Sequence, residues 1–243
     1  MRTAFIETLC ELAEQNDRIW LLCGDLGYSV LERFAQRFPN RYVNVGVAEQ
    51  NMTGLAVGLS MCNKIVFTYS IANFNTFRCI EQIRNDVCYH NANVKIVSVG
   101  GGFTYGTQGY SHYAVEDLAI MRALPNITII APGDPIEARL AVKTIIENEG
   151  PCYLRLGKAG EELIHKNNKK LSNVSIRKAI VVQEGKDITL ISTGGMLKTA
   201  IGAADRISKQ RIGISVRVLS MPTIKPIDKE AIFEAIRETS AIF

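Results

Sequence analysis

Short apolar runs alternate with amphipathic stretches along most of this chain, and that alternation restricts the fold more than any other feature. The runs occupy residues 19–23, 42–45, 65–69, 94–99, 127–131 and 152–156. Each has the length of a strand buried on both faces and is too short for a globular helix. Between them, residues 48–62, 74–90, 115–123 and 135–148 read as helices, and Phe5, Leu9, Leu12 and Ala13 recur at helical spacing near the start. Strands that alternate with helices need crossover connections. The expected fold is therefore α/β: a mostly parallel sheet with helices on both faces.

The pattern dissolves in "KAGEELIHKNNKKLSNVS", polar and rich in Lys and Asn, which reads as an interdomain linker. This divides the chain into a first domain at 1–157, a linker at 158–177 and a smaller α/β domain at 178–243. In the second domain, strands are expected at 188–192 and 214–219, helices at 197–208 and 229–238, and a third strand beginning in the closing "SAIF". Two or three strands are few for an α/β sheet, so this domain is expected to be truncated.

Composition narrows the function classes. A net charge of +4, with no basic block denser than residues 166–170, gives no footprint for nucleic acid. The six cysteines form no C-x-x-C pair, and the three histidines are far apart, so a metal site within the chain is not expected. No apolar stretch reaches the ~18 residues of a membrane span, and the N-terminal segment lacks a cleavage-site pattern. These features predict a soluble, reduced, cytoplasmic protein.

The most informative segment is "NRYVNVGVAEQNMTGLAVGLSM". A buried strand ends at Gly46, and Glu49 falls in the first turn of the next helix. In open α/β sheets ligands gather at the carboxyl ends of strands, which places Glu49 as a site residue. The residue type alone also fits a carboxylate that only favours the positive end of its helix. Met52, Leu55, Ala56 and Leu59 form the core stripe behind it, and Gly54 and Gly58 permit close packing.

"VGVAEQNMTGLAVGL" resembles the pyrimidine-binding domain of transketolase and 1-deoxyxylulose-5-phosphate synthase, and "GTQGYSHYAVEDLAIMRALPNITIIAPGDPIEA" extends the resemblance through a histidine segment and the helix and strand after it. The resemblance spans the whole chain apart from the end of the family's third domain. It implies thiamine diphosphate as cofactor, with Glu49 as the acid that hydrogen-bonds N1′ of the pyrimidine and favours the imino form that removes the thiazolium proton. It implies Phe74, or Phe77 if the local spacing slips, as the aromatic partner of the pyrimidine, and Asp25 and Leu26 beside the cofactor. His112 aligns with a histidine near the reactive carbon, able to stabilise oxyanion charge or shuttle protons. Arg155, Lys158 and, more weakly, Arg2 match basic positions for a sugar phosphate.

Two departures bear on substrate choice. Gln108 stands where transketolases carry an aspartate four residues before the histidine, and Gly100 stands where many carry a second histidine. The Gly100–Gly102 run lacks the lysine of a phosphate loop and reads as a flexible substrate-facing loop. The family's "GDG…N" motif, which holds the diphosphate and a Mg²⁺ or Ca²⁺ ion, has no counterpart at Gly24-Asp25 or Gly133-Asp134. The resemblance thus implies a partner, an N-terminal transketolase-type subunit, in an α₂β₂ heterotetramer. The expected function is the C-terminal subunit of a split transketolase moving a two-carbon ketol unit between sugar substrates. A 2-oxoacid dehydrogenase β-type subunit, a deoxyxylulose phosphate synthase-like subunit and a non-catalytic scaffold are the competing readings.

Overall fold

Two runs of hydrophobic residues, β3 (Ile65–Ile71) and β4 (Val94–Val99), are buried almost end to end, as expected of strands covered on both sides. The computed structural model describes residues 1–166, 171, 175–210 and 213–243, and its fold is the α/β arrangement read from the sequence. Around these two strands lie β1 (Ile19–Cys23), β2 (Tyr42–Asn44), β5 (Thr128–Ile130) and β6 (Cys152–Leu156). With β10 (Thr223–Lys225) they make a seven-stranded sheet in the order β10-β5-β6-β4-β3-β1-β2. Every pair is parallel except β10 with β5.

Alternate side chains divide the strands between two cores. Leu21, Phe67, Tyr69, Val97 and Leu154 face one side, packed against α1 (Arg2–Gln15) and α7 (Pro135–Glu147). Leu22, Val66, Ile96 and Tyr153 face the other, against α3 (Glu49–Met61) and α6 (Asp117–Ala123). Helix α2 (Glu32–Arg37), absent from the sequence reading, is one short turn anchored by buried Phe34.

The stretch 74–90, expected as one helix, is broken. It runs through α4 (Ala72–Thr76), a tight turn, α5 (Ile80–Gln82) and a wide π turn over Ile83–Cys88. Polar side chains compete with the helical ladder here: Thr76 Oγ1 donates to the Ala72 carbonyl at 2.5 Å, Cys79 Sγ to the Phe74 carbonyl at 3.5 Å, and Asn75 Nδ2 to the Val97 carbonyl at 3.1 Å. The break matters because it aims Phe74 and Arg78 at the site described below.

The second sheet is built from β7 (Ile180–Gln183), β8 (Ile188–Ser192), β9 (Val216–Ser220) and β11 (Ala241–Ile242), in the order β11-β8-β9-β7. Helix α8 (Leu197–Gln210) closes its core through Leu197 and Ala204, and α9 (Lys229–Glu238) precedes β11. Strand β7 was not expected from the sequence, whereas the closing strand in "SAIF" was. Residues 223–225, within the second domain as read from the sequence, form β10 and extend the first sheet. Of the expected linker, residues 167–170 and 172–174 lie outside the described residues. No helix among the described residues is long and apolar enough to cross a membrane.

The chain between the two sheets is tied down by Asp134. Its Oδ1 caps α7 by accepting from the amides of Ile136 at 2.9 Å and Glu137 at 2.8 Å, and its Oδ2 accepts from the His165 amide at 3.0 Å. The His165 ring lies 2.8 Å from Glu137 Oε1, with both side chains buried. Burial alone would lower the imidazole pKa, but Glu137 and Asp134 outweigh it and raise it.

Two measurements test this knot. Asp134→Ala removes the cap and strands two buried amides and one part-buried one, and should cost about 2–4 kcal/mol in urea unfolding, with Asp134→Asn costing less. Because the folded pKa of His165 is raised above the ordinary 6.5, its stabilisation is fully present below that pH and is lost as pH rises through the folded value. Stability measured from pH 5.5 to 8.5 should carry this component in the wild type, and His165→Gln should abolish it.

Candidate active site

The carboxyl ends of β1, β2 and β3 meet where the sheet order reverses around β1, the place where open α/β sheets gather ligands. Glu49 opens α3 there, only 3 % exposed. Its Oε2 accepts from Arg78 Nη1 at 3.2 Å, while its Oε1 is buried with no hydrogen-bond partner among the described residues. Gly24, just after β1, borders the carboxylate: a Cβ at that position would be in ordinary contact with Glu49, 3.4 Å from Cγ and 3.5 Å from Oε1. A desolvated carboxylate oxygen with no donor is costly. Such an atom is suited to a ligand that brings a ring N–H or a proton, and the residues present fit the aminopyrimidine end of thiamine diphosphate.

From Glu49 a row of rings runs outward between two cations. The Arg78 guanidinium lies over the Phe74 ring at 4.1 Å. Phe74 meets His112 edge-on at 5.1 Å between centroids, and His112 lies 5.9 Å from Tyr105. Lys158 Nζ sits 5.1 Å from the Tyr105 ring centre. Such contacts fix ring orientation as well as add attraction. The His112 Nδ1 pairs with Ser111 Oγ at 3.0 Å, which leaves the other ring nitrogen available.

The loop that carries Tyr105, Gln108 and His112 is closed at its base by two backbone bonds, Gly102 N to the Ala114 carbonyl at 2.7 Å and Ala114 N to the Gly102 carbonyl at 3.1 Å. Arg155, at the end of β6, holds that base. Its Nε and Nη2 grip Asp117 at 2.8 and 3.1 Å, and Nη2 also donates to the Ala114 carbonyl at 2.8 Å. Tyr153 Oη completes the network by donating to Asp117 Oδ2 at 2.6 Å. Arg155, expected from the sequence to face a sugar phosphate, is thus already committed on two of its nitrogens to protein acceptors.

The other candidates fall as follows. Asp25, exposed, adopts a left-handed backbone (φ 53°) and exchanges bonds with Asn44, whose Oδ1 accepts from the Asp25 and Gly46 amides at 3.0 Å each. Leu26 is half-buried and packs on the core beneath. Phe74 borders His112, whereas Phe77, half-buried in the tight turn, makes no ring contact with it among the described residues. Gln108 is exposed on the loop, four residues before His112. Arg2 Nε donates to the Lys158 carbonyl, which brings two cations to one rim. Arg78 and Tyr105 were not among the residues expected from the sequence. Arg78 lies four residues past Phe74, a helical spacing that would have flagged it; nothing local marks Tyr105.

Residues 1–160 match the transketolase pyrimidine-binding domain and residues 177–243 the transketolase C-terminal domain. The chain is 42 % identical over 233 residues to a putative transketolase C-terminal section of Methanocaldococcus jannaschii, covering 96 % of this chain and 73 % of that protein. It is 37 % identical to a 6-deoxy-6-sulfo-D-fructose transketolase subunit of a Clostridium species, over all of this chain and 74 % of the relative. Among solved structures, a split-gene transketolase described as an inactive β4 tetramer superposes with a TM-score of 0.88 and 39 % identity, covering 99 % of this chain and 76 % of that one. The chain belongs to the transketolase family, with its pyrimidine-binding and C-terminal domains in that order.

Proposed function

We propose that this chain is the C-terminal-half subunit of a two-subunit, thiamine diphosphate-dependent transketolase that transfers a two-carbon ketol unit between sugar substrates. The observation that carries the reading is the buried Glu49 carboxylate, with one oxygen tied to Arg78 and the other unpartnered among the described residues. The partner is an N-terminal transketolase-type subunit that holds the diphosphate and a Mg²⁺ or Ca²⁺ ion, in an α₂β₂ assembly. Support for a partner comes from the relatives, which are named as a C-terminal section and a subunit.

Thiamine diphosphate, when bound, supplies the nucleophilic carbon that no side chain of the protein provides. The protein's part is position and proton management. Glu49 Oε1 would hold a proton at the pyrimidine, with Arg78 fixing the rotation of the carboxylate through Oε2. Phe74 would offer its free face to the pyrimidine, its other neighbours being the Arg78 guanidinium and the His112 edge. Asp25 and Leu26 would border the same ring system from the end of β1. His112 would hold a proton near the substrate carbonyl and stabilise the negative charge that develops there. Lys158 and Arg2 would attract the anionic end of a sugar, and Arg155 would act mainly by holding the loop base.

Glu49→Gln in the reconstituted complex should leave circular dichroism and assembly unchanged and lower turnover by ~10²–10⁴-fold. Hydrogen–deuterium exchange at C2 of the bound cofactor, read by NMR, is the decisive observable, since an unchanged exchange rate would reduce Glu49 to a helix-terminus residue.

Gln108 should bias the choice of donor. Compared with aspartate, glutamine keeps acceptor capacity, gains two N–H donors, carries no charge and reaches one methylene further. The expected result is weak use of xylulose 5-phosphate by the wild type and a kcat/KM for it that rises in Gln108→Asp. His112→Ala should fail with every donor. A wild type that already prefers xylulose 5-phosphate, with no change in Gln108→Asp, removes residue 108 from specificity.

A further inference from the structure

We propose that Tyr105 determines substrate specificity in this site, by holding the Lys158 ammonium where the terminal oxyanion of a sugar substrate is read; the inference rests on the transketolase reading above. The first observation is the fit of Tyr105 against Gly100. Gly100 ends β4 with φ 83°, and a Cβ built on it would lie 2.1 Å from Tyr105 Cε2 and 2.5 Å from Cδ2. No side chain can occupy that position while the Tyr105 ring lies there. The ring has therefore taken over space at the end of a central strand, beside the site, that residue 100 would otherwise fill.

The second observation is what flanks the ring. His112 stands 5.9 Å from the ring and Lys158 Nζ 5.1 Å from it, so Tyr105 touches both the histidine expected nearest the chemistry and a cation suited to an anionic substrate. Its backbone is fixed as well, since the Gln108 amide donates to the Tyr105 carbonyl at 3.2 Å and the Gly106 amide to the Phe103 carbonyl at 2.9 Å. Arg2, the first residue of α1, joins through the Lys158 carbonyl. Burial raises the Tyr105 phenol pKa, and the Arg2 charge acts against that rise.

A free lysine samples many rotamers, and ordering it upon binding costs affinity. An aromatic face under the ammonium removes part of that cost in advance, worth about three- to tenfold when the pair is partly desolvated. Phosphate and sulfonate share the chemistry that Lys158 and Arg2 would read: a tetrahedral group with several acceptor oxygens and negative charge. A donor without that group gains nothing from the arrangement.

The test uses the complex reconstituted with its partner subunit and three donors of one carbon skeleton: fructose 6-phosphate, 6-deoxy-6-sulfofructose and fructose. For each, kcat/KM is measured in wild type, Tyr105→Leu, Tyr105→Phe and Lys158→Ala. Tyr105→Leu should lower the ratio of anionic to neutral donor about three- to tenfold, mostly through KM, and the phosphate and sulfonate arms show which oxyanion the site favours. Tyr105→Phe, which keeps the ring face, should retain the ratio. Tyr105→Leu combined with Lys158→Ala should be no worse in this ratio than Lys158→Ala alone. Equal loss for charged and neutral donors, or an unchanged ratio, makes Tyr105 a space-filling residue and overturns the assignment. A wild-type complex that transfers no ketol unit from these donors or from a wider panel of charged and neutral ketoses overturns the transketolase reading itself, and this inference with it.

Discussion

The buried ion pair between Arg155 and Asp117 is the contact on which the geometry of the site depends. Asp117 is fully buried, and its two oxygens are taken by the Arg155 fork and the Tyr153 phenol. Removing one partner of such a pair leaves an uncompensated charge in the interior, at a cost of about 3–5 kcal/mol. More is at stake than stability. Arg155 also grips the Ala114 carbonyl, and Ala114 closes the base of the loop that presents Tyr105, Gln108 and His112. One guanidinium at the end of β6 thereby registers a loop of glycines and aromatics against α3 and α4, which carry Glu49 and Phe74.

That arrangement explains why so many glycines occur together without forming a phosphate cradle. Gly101 lets the Arg155 guanidinium press on the backbone, since a Cβ there would lie 2.3 Å from its Cζ. The loop is thus braced from beneath by Arg155 and lined from above by rings. Preorganisation of this kind allows a site to orient charge before substrate arrives.

Much of this was legible in the sequence because strands buried on both faces must be continuous apolar runs. The runs at 19–23, 94–99 and 152–156 coincide with strands, and Glu49 was visible as an acid opening a helix after a buried strand. What escaped detection was either short or cooperative. Strand β10 is three residues flanked by Pro222 and Pro226, with no periodicity to measure. Strand β7 lies at the edge of its sheet and buries little beyond Ile180, so its pattern is weak. The interrupted helix after β3 depends on side chains of Asn75, Thr76 and Cys79 choosing backbone partners, a competition that apolar spacing does not register. Tyr105 belongs with these, because its role arises only when β4, β6 and the loop are brought together.

The excursion of β10 has a mechanical consequence. The polypeptide leaves the larger sheet after β6, builds most of a second sheet, and then returns three residues to the edge of the first beside β5 before finishing with α9 and β11. The two sheets are stitched together, with backbone from the later part of the chain serving as an edge of the earlier part. Cutting the connecting segment would sever the covalent link yet leave two fragments clasped through main-chain hydrogen bonds. The protein should accordingly behave towards force, and towards denaturant, as one cooperative body and not as beads on a string.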